Sequence, residues 1–245
     1  MSQTEACEEV TVCPIDTPSE SGLALAINVD LSSPSKRRVQ MNDRLDASRM
    51  ADIVLAAVML AFILPLWLAV ALLIKLQDGG PVIFAHPRLG RGGRTFDCLK
   101  FRSMVVDSDV RLARLLQRDP IARAEWEADH KLRKDPRVTP LGSFLRRSSI
   151  DELPQLLNVL QGDMSLVGPR PIVRAEVTRY GRWFGAYCAV RPGLSGLWQV
   201  SGRNDVSYRR RVALDRLYAS RRSFGLYLYI LAKTVPAVLM REGSY

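Results

Sequence analysis

The sequence predicts an α/β protein, mostly α, that is seated in a membrane. Residues 53–74, IVLAAVMLAFILPLWLAVALLI, run for 22 positions without a charge. As one straight helix they would reach about 33 Å and cover a bilayer core. A short hairpin pattern follows in VIFAHPRLGRGGRTFDCLKFR, and beyond it aliphatic and aromatic residues recur among arginines at helical spacing. The 245 residues suffice for one domain of ordinary size plus a tail.

Lys and Arg outnumber Asp and Glu by 35 to 25, so the surface attracts anions: nucleic acid, lipid head groups or phosphorylated small molecules. The four cysteines, Cys7, Cys13, Cys98 and Cys188, show no CxxC spacing and fit a reducing compartment better than a zinc ribbon or a disulfide framework. His86 and His130 are the only histidines and lie far apart in sequence. A His-rich metal cluster or a Ser-His-Asp triad therefore has little support, and any transfer chemistry must lean on carboxylates.

In chain order, residues 1–44 are rich in Ser, Thr, Pro and Glu without a sustained apolar period and read as a disordered tail. The tail opens acidic, and its one apolar patch, LALAI, is too short for a signal peptide. Residues 45–77 form the membrane-inserted segment. Lys36, Arg37, Arg38, Arg44 and Arg49 precede the apolar run and Lys75, Arg88, Arg91 and Arg94 follow it, so the positive-inside rule gives no asymmetry. Pro65, at the middle of the run, removes one backbone hydrogen bond and favours a kink. Physics alone leaves a spanning and a re-entrant helix equally open.

Residues 78–245 form the remaining domain. Its hairpin pairs a strand at 82–85 with one ending in Lys100, Phe101 and Arg102; residues 105–132 read as helix interrupted near Asp119-Pro120. The C-terminal stretch VSYRRRVALDRLYASRRSFGLYLYILAKTVPAVLM suits helices lying in the membrane interface, or equally helices packed on their own domain.

The stretch SSIDELPQLLN places Asp151 and Glu152 side by side in a basic chain. With Ser149 as helix cap, the SxxE spacing is that of a capping box. Pro154 fits better if Asp151 is the cap. Arg146 and Arg147 stand upstream, GDMSLVGPRP supplies Asp163, Gly168 and Arg170, and RPGLSGLWQVSGRN offers Arg191, Gly193, Gly196, Gln199 and Arg203 in a glycine-punctuated loop able to approach a ligand. Acids among arginines suggest metal-assisted phosphoryl chemistry. Mg²⁺ binds through one or two carboxylates plus substrate phosphates, so the pair is enough, and an Asp can itself be a nucleophile. No GxxxxGK[ST] motif occurs.

Taken in order, IKLQDGGPVIF after the apolar run, PRLGRGGRTFDCLKFRSM, DPRVTPLGSFLRRSSIDELPQLLNVLQGDMSLVGPRP and RPGLSGLWQVSGR resemble the bacterial sugar transferases, the monotopic phosphoglycosyl transferases, from about Arg49 to Val238. The resemblance implies transfer of a hexose 1-phosphate from a UDP-sugar, glucose or galactose, to undecaprenyl phosphate, with UMP released and exopolysaccharide synthesis begun. Carried over by motif, Asp151 is the nucleophile and a Mg²⁺ ligand, and Glu152 assists as metal partner or base. Lys100, Arg102, Arg146, Arg170 and Arg203 hold phosphates, with Arg191 a weaker candidate, because an arginine fork meets two phosphate oxygens at once. The resemblance also implies a re-entrant helix-break-helix kinked at Pro65 and a compact helical catalytic domain on the cytoplasmic face of the inner membrane. Leu64 stands where relatives often have Ser, Ser195 where Thr is common, and Tyr227 where the last helix often bears Asp, so that helix is expected to sit differently. No nucleic-acid partner is expected. A Mg²⁺-dependent phosphoesterase would use the same residues with water as acceptor, and a basic membrane scaffold would explain the charge but not the acidic pair.

Overall fold

The computed structural model describes residues 47–239 apart from 130, 131, 133 and 203–205. The tail expected at 1–44 lies outside the described residues, as do Arg203 and His130. Helix α1, Ala47–Asp78, opens the described chain. The hairpin β1, Ile83–Leu89, and β2, Thr95–Phe101, follows. Then come helices α2, Ser108–Arg118, α3, Pro120–Asp129, and α4, Pro140–Arg147. A 3₁₀ turn, Ile150–Glu152, leads into α5, Gln155–Gln161, and strand β3, Ser165–Val167. Short helices α6, Val177–Tyr180, and α7, Phe184–Cys188, precede β4, Gly193–Ser195. Helices α8, Tyr208–Arg221, and α9, Phe224–Leu239, complete it.

Among the described residues α1 is the one helix long and apolar enough to cross a membrane. Its assignment is uninterrupted through Pro65, where a helix-break-helix was expected. Proline removes a single hydrogen bond from the ladder, and in an apolar setting the remaining peptide groups have no other partners, so the helix continues. Asp52, Ala56, Val70 and Ile74 are buried, and Ile63 and Trp67 partly so. Their spacing of three, four and seven residues makes one stripe along the helix. At one end Ala56 and Ile63 pack with Cys98, Leu156, Val159, Met164 and Leu166. At the other, Trp67, Val70 and Ile74 pack with Phe101 and Leu145. Val58, Phe62, Leu68, Leu72 and Leu76 remain exposed.

Polar bonds fasten the start of α1. Asp52 Oδ1 accepts from Ser165 Oγ at 3.0 Å, Leu166 N at 2.8 Å and the Tyr227 hydroxyl at 2.9 Å. Tyr227, the departure singled out in the last helix, thus ties α9 to α1. Arg49 donates to the carbonyls of Val159 at 2.7 Å and Leu160 at 3.1 Å, satisfying the C-terminal end of α5.

Strands β1 and β2 are antiparallel, with Phe84 opposite Lys100, His86 opposite Cys98 and Arg88 opposite Phe96. They are longer than the sequence pattern indicated. Asn158 on α5 binds the outer edge of β2: its Oδ1 accepts from Leu99 N at 2.9 Å and its Nδ2 donates to Asp97 O at 2.8 Å. Strands β3 and β4 pair in parallel, Ser165 with Gly193 and Val167 with Ser195. A Cβ on Gly193 would lie 2.0 Å from the Gly168 nitrogen, so the glycines of the GPRP and RPG segments permit backbone interlock. Ser195 Oγ lies 2.6 Å from Thr234 Oγ1 of α9, a bond that needs only the hydroxyl which Ser shares with Thr.

The interruption expected at Asp119-Pro120 separates α2 from α3, and Asp119 Oδ1 accepts from Ile121 N at 2.9 Å. Of the two settings open for α8, packing on its own domain is found: Val212, Asp215 and Tyr218 are buried. Its arginines lie over aromatics of the same domain, Arg216 3.8 Å from the Trp183 ring centroid and Arg211 4.7 Å from that of Trp198. Helix α9 buries Tyr227 and Ile230 but leaves Leu228, Tyr229 and Val235 exposed.

Candidate active site

Helix α4 starts at Thr139, whose side chain accepts from Gly142 N at 2.9 Å. A Cβ on Gly142 would meet the Ser103 carbonyl oxygen at 1.9 Å, so glycine lets α4 lie directly on the KFRSM segment. The chain leaving α4 must reverse within Ser148 and Ser149 to bring Asp151 beneath β2, and Ser149 takes the left-handed conformation, φ 57°. Such a conformation costs a non-glycine residue about 1–2 kcal/mol. Neither capping register expected from the sequence is realised. Ser149 makes no side-chain cap, the two acids lie in the 3₁₀ turn, and Pro154, φ −60°, sits at the start of α5 where its missing N–H costs nothing.

Asp151 is buried, its side chain 11 % exposed, while that of Glu152 is 34 % exposed. Lys100, on the β2 face above them, places Nζ 2.7 Å from Glu152 Oε1 and 3.7 Å from Asp151 Oδ2. The surroundings push the acids apart. Burial, reinforced by the charge of Glu152, raises the Asp151 carboxyl despite Lys100 and Arg146. Burial also acts upward on Glu152, but Lys100, Arg170 and Arg88 outweigh it and hold that carboxyl below its ordinary range. Two adjacent carboxyls with opposed shifts suit two roles: a more basic, more nucleophilic Asp151 and a firmly ionised Glu152.

The oxygen-only donor pair fits a hard cation. Among the described residues no group of three His, Cys, Asp or Glu side chains gathers as a metal cage. A Mg²⁺ ion held by Asp151 and Glu152 would complete its shell with water and substrate phosphate oxygens.

The other expected site residues divide in two. Arg146, exposed on α4, donates from Nε to Ser103 Oγ at 2.8 Å and acts on Asp151; Arg170, exposed in the GPRP loop, acts on Glu152. These two stand with Lys100 around the pair. Arg102 is buried and pairs with Asp78 at the end of α1, holding that helix to β2. Arg191 Nε donates to Gly162 O at 2.8 Å beyond α5. Gly193 is buried in β4, and Gln199 Nε2 donates to Leu194 O at 3.3 Å. Arg88 is an addition that sequence reasoning missed. It acts on Glu152 from β1, and only the strand pairing reveals that it shares a face with Lys100.

An acid pair under a lysine, with arginines acting on it, suits phosphoryl-transfer chemistry. The bacterial sugar transferase family profile matches residues 43–241, and the chain belongs to that family. It is 47 % identical over 248 residues to an undecaprenyl-phosphate galactose phosphotransferase of Salmonella typhimurium, covering 98 % of this chain and 51 % of that one. It is 50 % identical over 197 residues to a UDP-galactose-lipid carrier transferase of Erwinia amylovora, covering 80 % of this chain and 41 % of the relative. The exopolysaccharide production protein ExoY of Rhizobium meliloti is 48 % identical over 199 residues, 81 % of this chain and 88 % of its own. The chain thus spans about half the length of the first two relatives and most of the third.

Lys100→Gln removes the positive charge that lowers both carboxyls. The acid limb of the pH profile of sugar-phosphate transfer, measured as kcat/KM, is expected to move to higher pH, beyond any uniform loss of rate. An unmoved limb would mean that Lys100 does not set the ionisation of the pair.

Proposed function

We propose that the protein transfers a hexose 1-phosphate from UDP-glucose or UDP-galactose to undecaprenyl phosphate, starting an exopolysaccharide repeat unit. The observation that carries this reading is the buried Asp151, raised by its surroundings and faced by Lys100, Arg146 and the Glu152 carboxylate. The relatives' names supply the substrate class: galactose for Salmonella typhimurium and, at 42 % identity over 205 residues, UDP-glucose and undecaprenyl phosphate for Caulobacter vibrioides.

In the first step an Asp151 carboxylate oxygen attacks the β-phosphorus of the donor. The bond from that phosphorus to the bridging oxygen breaks, and its electron pair leaves with UMP. In the second, an undecaprenyl phosphate oxygen attacks the same phosphorus, the acyl-phosphate bond breaks, and the Asp151 carboxylate is restored. Lys100 and the arginines hold phosphate oxygens and offset their charge. A Mg²⁺ at the pair would supply further charge neutralisation.

The reading includes α1 as a re-entrant element at the cytoplasmic face of the inner membrane, with residues 78–245 as the catalytic domain. Support comes from its stripe: Asp52, Ala56, Val70 and Ile74 are buried along the helix, so that both halves of α1 pack on the same folded unit. The exposed apolar faces of α1 and α9 would contact lipid.

Two measurements test the proposal. With the purified, detergent-solubilised chain, UMP release from UDP-hexose should require both undecaprenyl phosphate and a divalent cation for sustained turnover. Asp151→Asn should lower that turnover by on the order of 10³-fold or more; turnover within about tenfold of wild type would remove Asp151 from the chemistry. For the topology, single cysteines at Ser48 and Gln77 should both resist an impermeant maleimide in intact spheroplasts and react once the membrane is opened. Labelling of Ser48→Cys alone from outside would mean a spanning helix.

A further inference from the structure

In the KFRSM segment Lys100 lies over the two carboxylates and Arg102 closes on Asp78, while Ser103 is buried against α4. The Ser103 backbone is pinned on the segment that precedes that helix. Ser103 O accepts from Thr139 N at 3.2 Å, Met104 bridges Val138 in antiparallel fashion, and Val105 N donates to Arg137 O at 2.9 Å. Gly142, with no side chain, lets the first turn of α4 rest on Ser103. Arg146 follows Gly142 by four residues and so lies on the same face of the helix, and helical side chains lean toward the N-terminus. The Arg146 side chain therefore runs back over Ser103, and its Nε donates to Ser103 Oγ at 2.8 Å.

Among the described residues that is the one hydrogen bond of the Arg146 side chain, which otherwise stands exposed near the end of α4. Two acids feel its charge. Asp135 is already held by Arg137, whose Nε and Nη2 donate to its two oxygens at 2.8 and 2.6 Å. The other is Asp151. A guanidinium is planar, so holding Nε restrains the whole group and leaves the two Nη nitrogens as a fork for phosphate oxygens. Without that bond an exposed arginine spreads over many rotamers, and a group that must meet a transient charge acts best when already in place. We propose that Ser103 is a positioning residue of the transfer reaction: by holding Arg146 Nε it keeps the Nη fork at the phosphoryl group that passes through Asp151. This inference rests on the transfer reaction proposed above and assigns part of its rate to a buried hydroxyl that itself touches neither substrate nor the acid pair.

The test is a double-mutant cycle on kcat/KM, read as release of radiolabelled UMP from UDP-hexose by the detergent-solubilised full chain with undecaprenyl phosphate and Mg²⁺ present. Ser103→Ala is expected to lower kcat/KM about tenfold, and Arg146→Met, which keeps the stem but no donor, about a hundredfold. In the Arg146→Met background, Ser103→Ala should cost less than about twofold, because the group it positions is already gone. A packing role for Ser103 would cost the same in both backgrounds. If Ser103→Ala lowers the melting temperature, Ser103→Cys carries the cycle, since it keeps the side-chain volume and offers only a weak acceptor. Equal losses with and without the Arg146 guanidinium overturn the assignment, and so does wild-type kcat/KM in Ser103→Ala or in Arg146→Met. A wild-type chain that releases no UMP from either UDP-sugar overturns the transfer reaction, and the role of Ser103 with it.

Discussion

The two hydrogen bonds that Asn158 makes to the backbone of β2 hold the acidic pair under Lys100. Strand β2 has β1 on one side only, so its other edge presents an unpaired N–H and C=O. The Asn158 amide satisfies both, as a neighbouring strand would, and leaving either group buried and unpaired costs about 1–3 kcal/mol. Helix α5 is thereby fixed against β2. Because the 3₁₀ turn with Asp151 and Glu152 feeds directly into α5, the distance from Lys100 to both carboxylates follows from that contact.

The remaining scaffold supports the same joint from other sides. Arg49 and Arg191 take the carbonyls at the far end of α5, so the first turn of the apolar helix and the approach to β4 meet there. Arg102 and Asp78 close the other end of α1 against β2. Several of the chain's arginines thus satisfy backbone carbonyls or stack on aromatic rings, and the basic composition is only partly a matter of substrate. What is left for chemistry is a small charged surface. Asp151 is raised by burial, Glu152 is held ionised by the cations around it, and Lys100, Arg146, Arg170 and Arg88 stand nearby.

The elements set by local pattern were legible in the sequence: the apolar helix, the hairpin with its Gly/Arg turn, and the division of α2 from α3 at Asp119-Pro120. The acidic pair also stood out, because two adjacent carboxylates in a basic chain ask for a reason. What could not be read depends on partners distant in sequence. Nothing near Asn158 announces that it will pair with a strand edge about 60 positions earlier, and Arg88 is one cation among several until the register with β2 is known. Arg191 and Gly193 looked like ligand contacts because a glycine-punctuated loop with an arginine fits one. Their positions are accounted for by α5 capping and by the close approach of Gly168, both tertiary facts. The capping box failed for a related reason: the path from α4 into the 3₁₀ turn that lies against β2 takes Ser149 into a left-handed conformation, which overrides the local preference of Ser for a cap.

The central claim is that Asp151 carries the sugar phosphate covalently between donor and acceptor. The most direct measurement is the intact mass of the detergent-solubilised chain, acid-quenched after brief incubation with UDP-glucose or UDP-galactose and Mg²⁺ in the absence of lipid, followed by peptide mapping. The account predicts a hexose-phosphate adduct on the peptide containing Asp151, discharged when undecaprenyl phosphate is added. Lipid-dependent turnover without any adduct at short quench times would contradict it and indicate direct transfer, with Asp151 acting as a metal ligand.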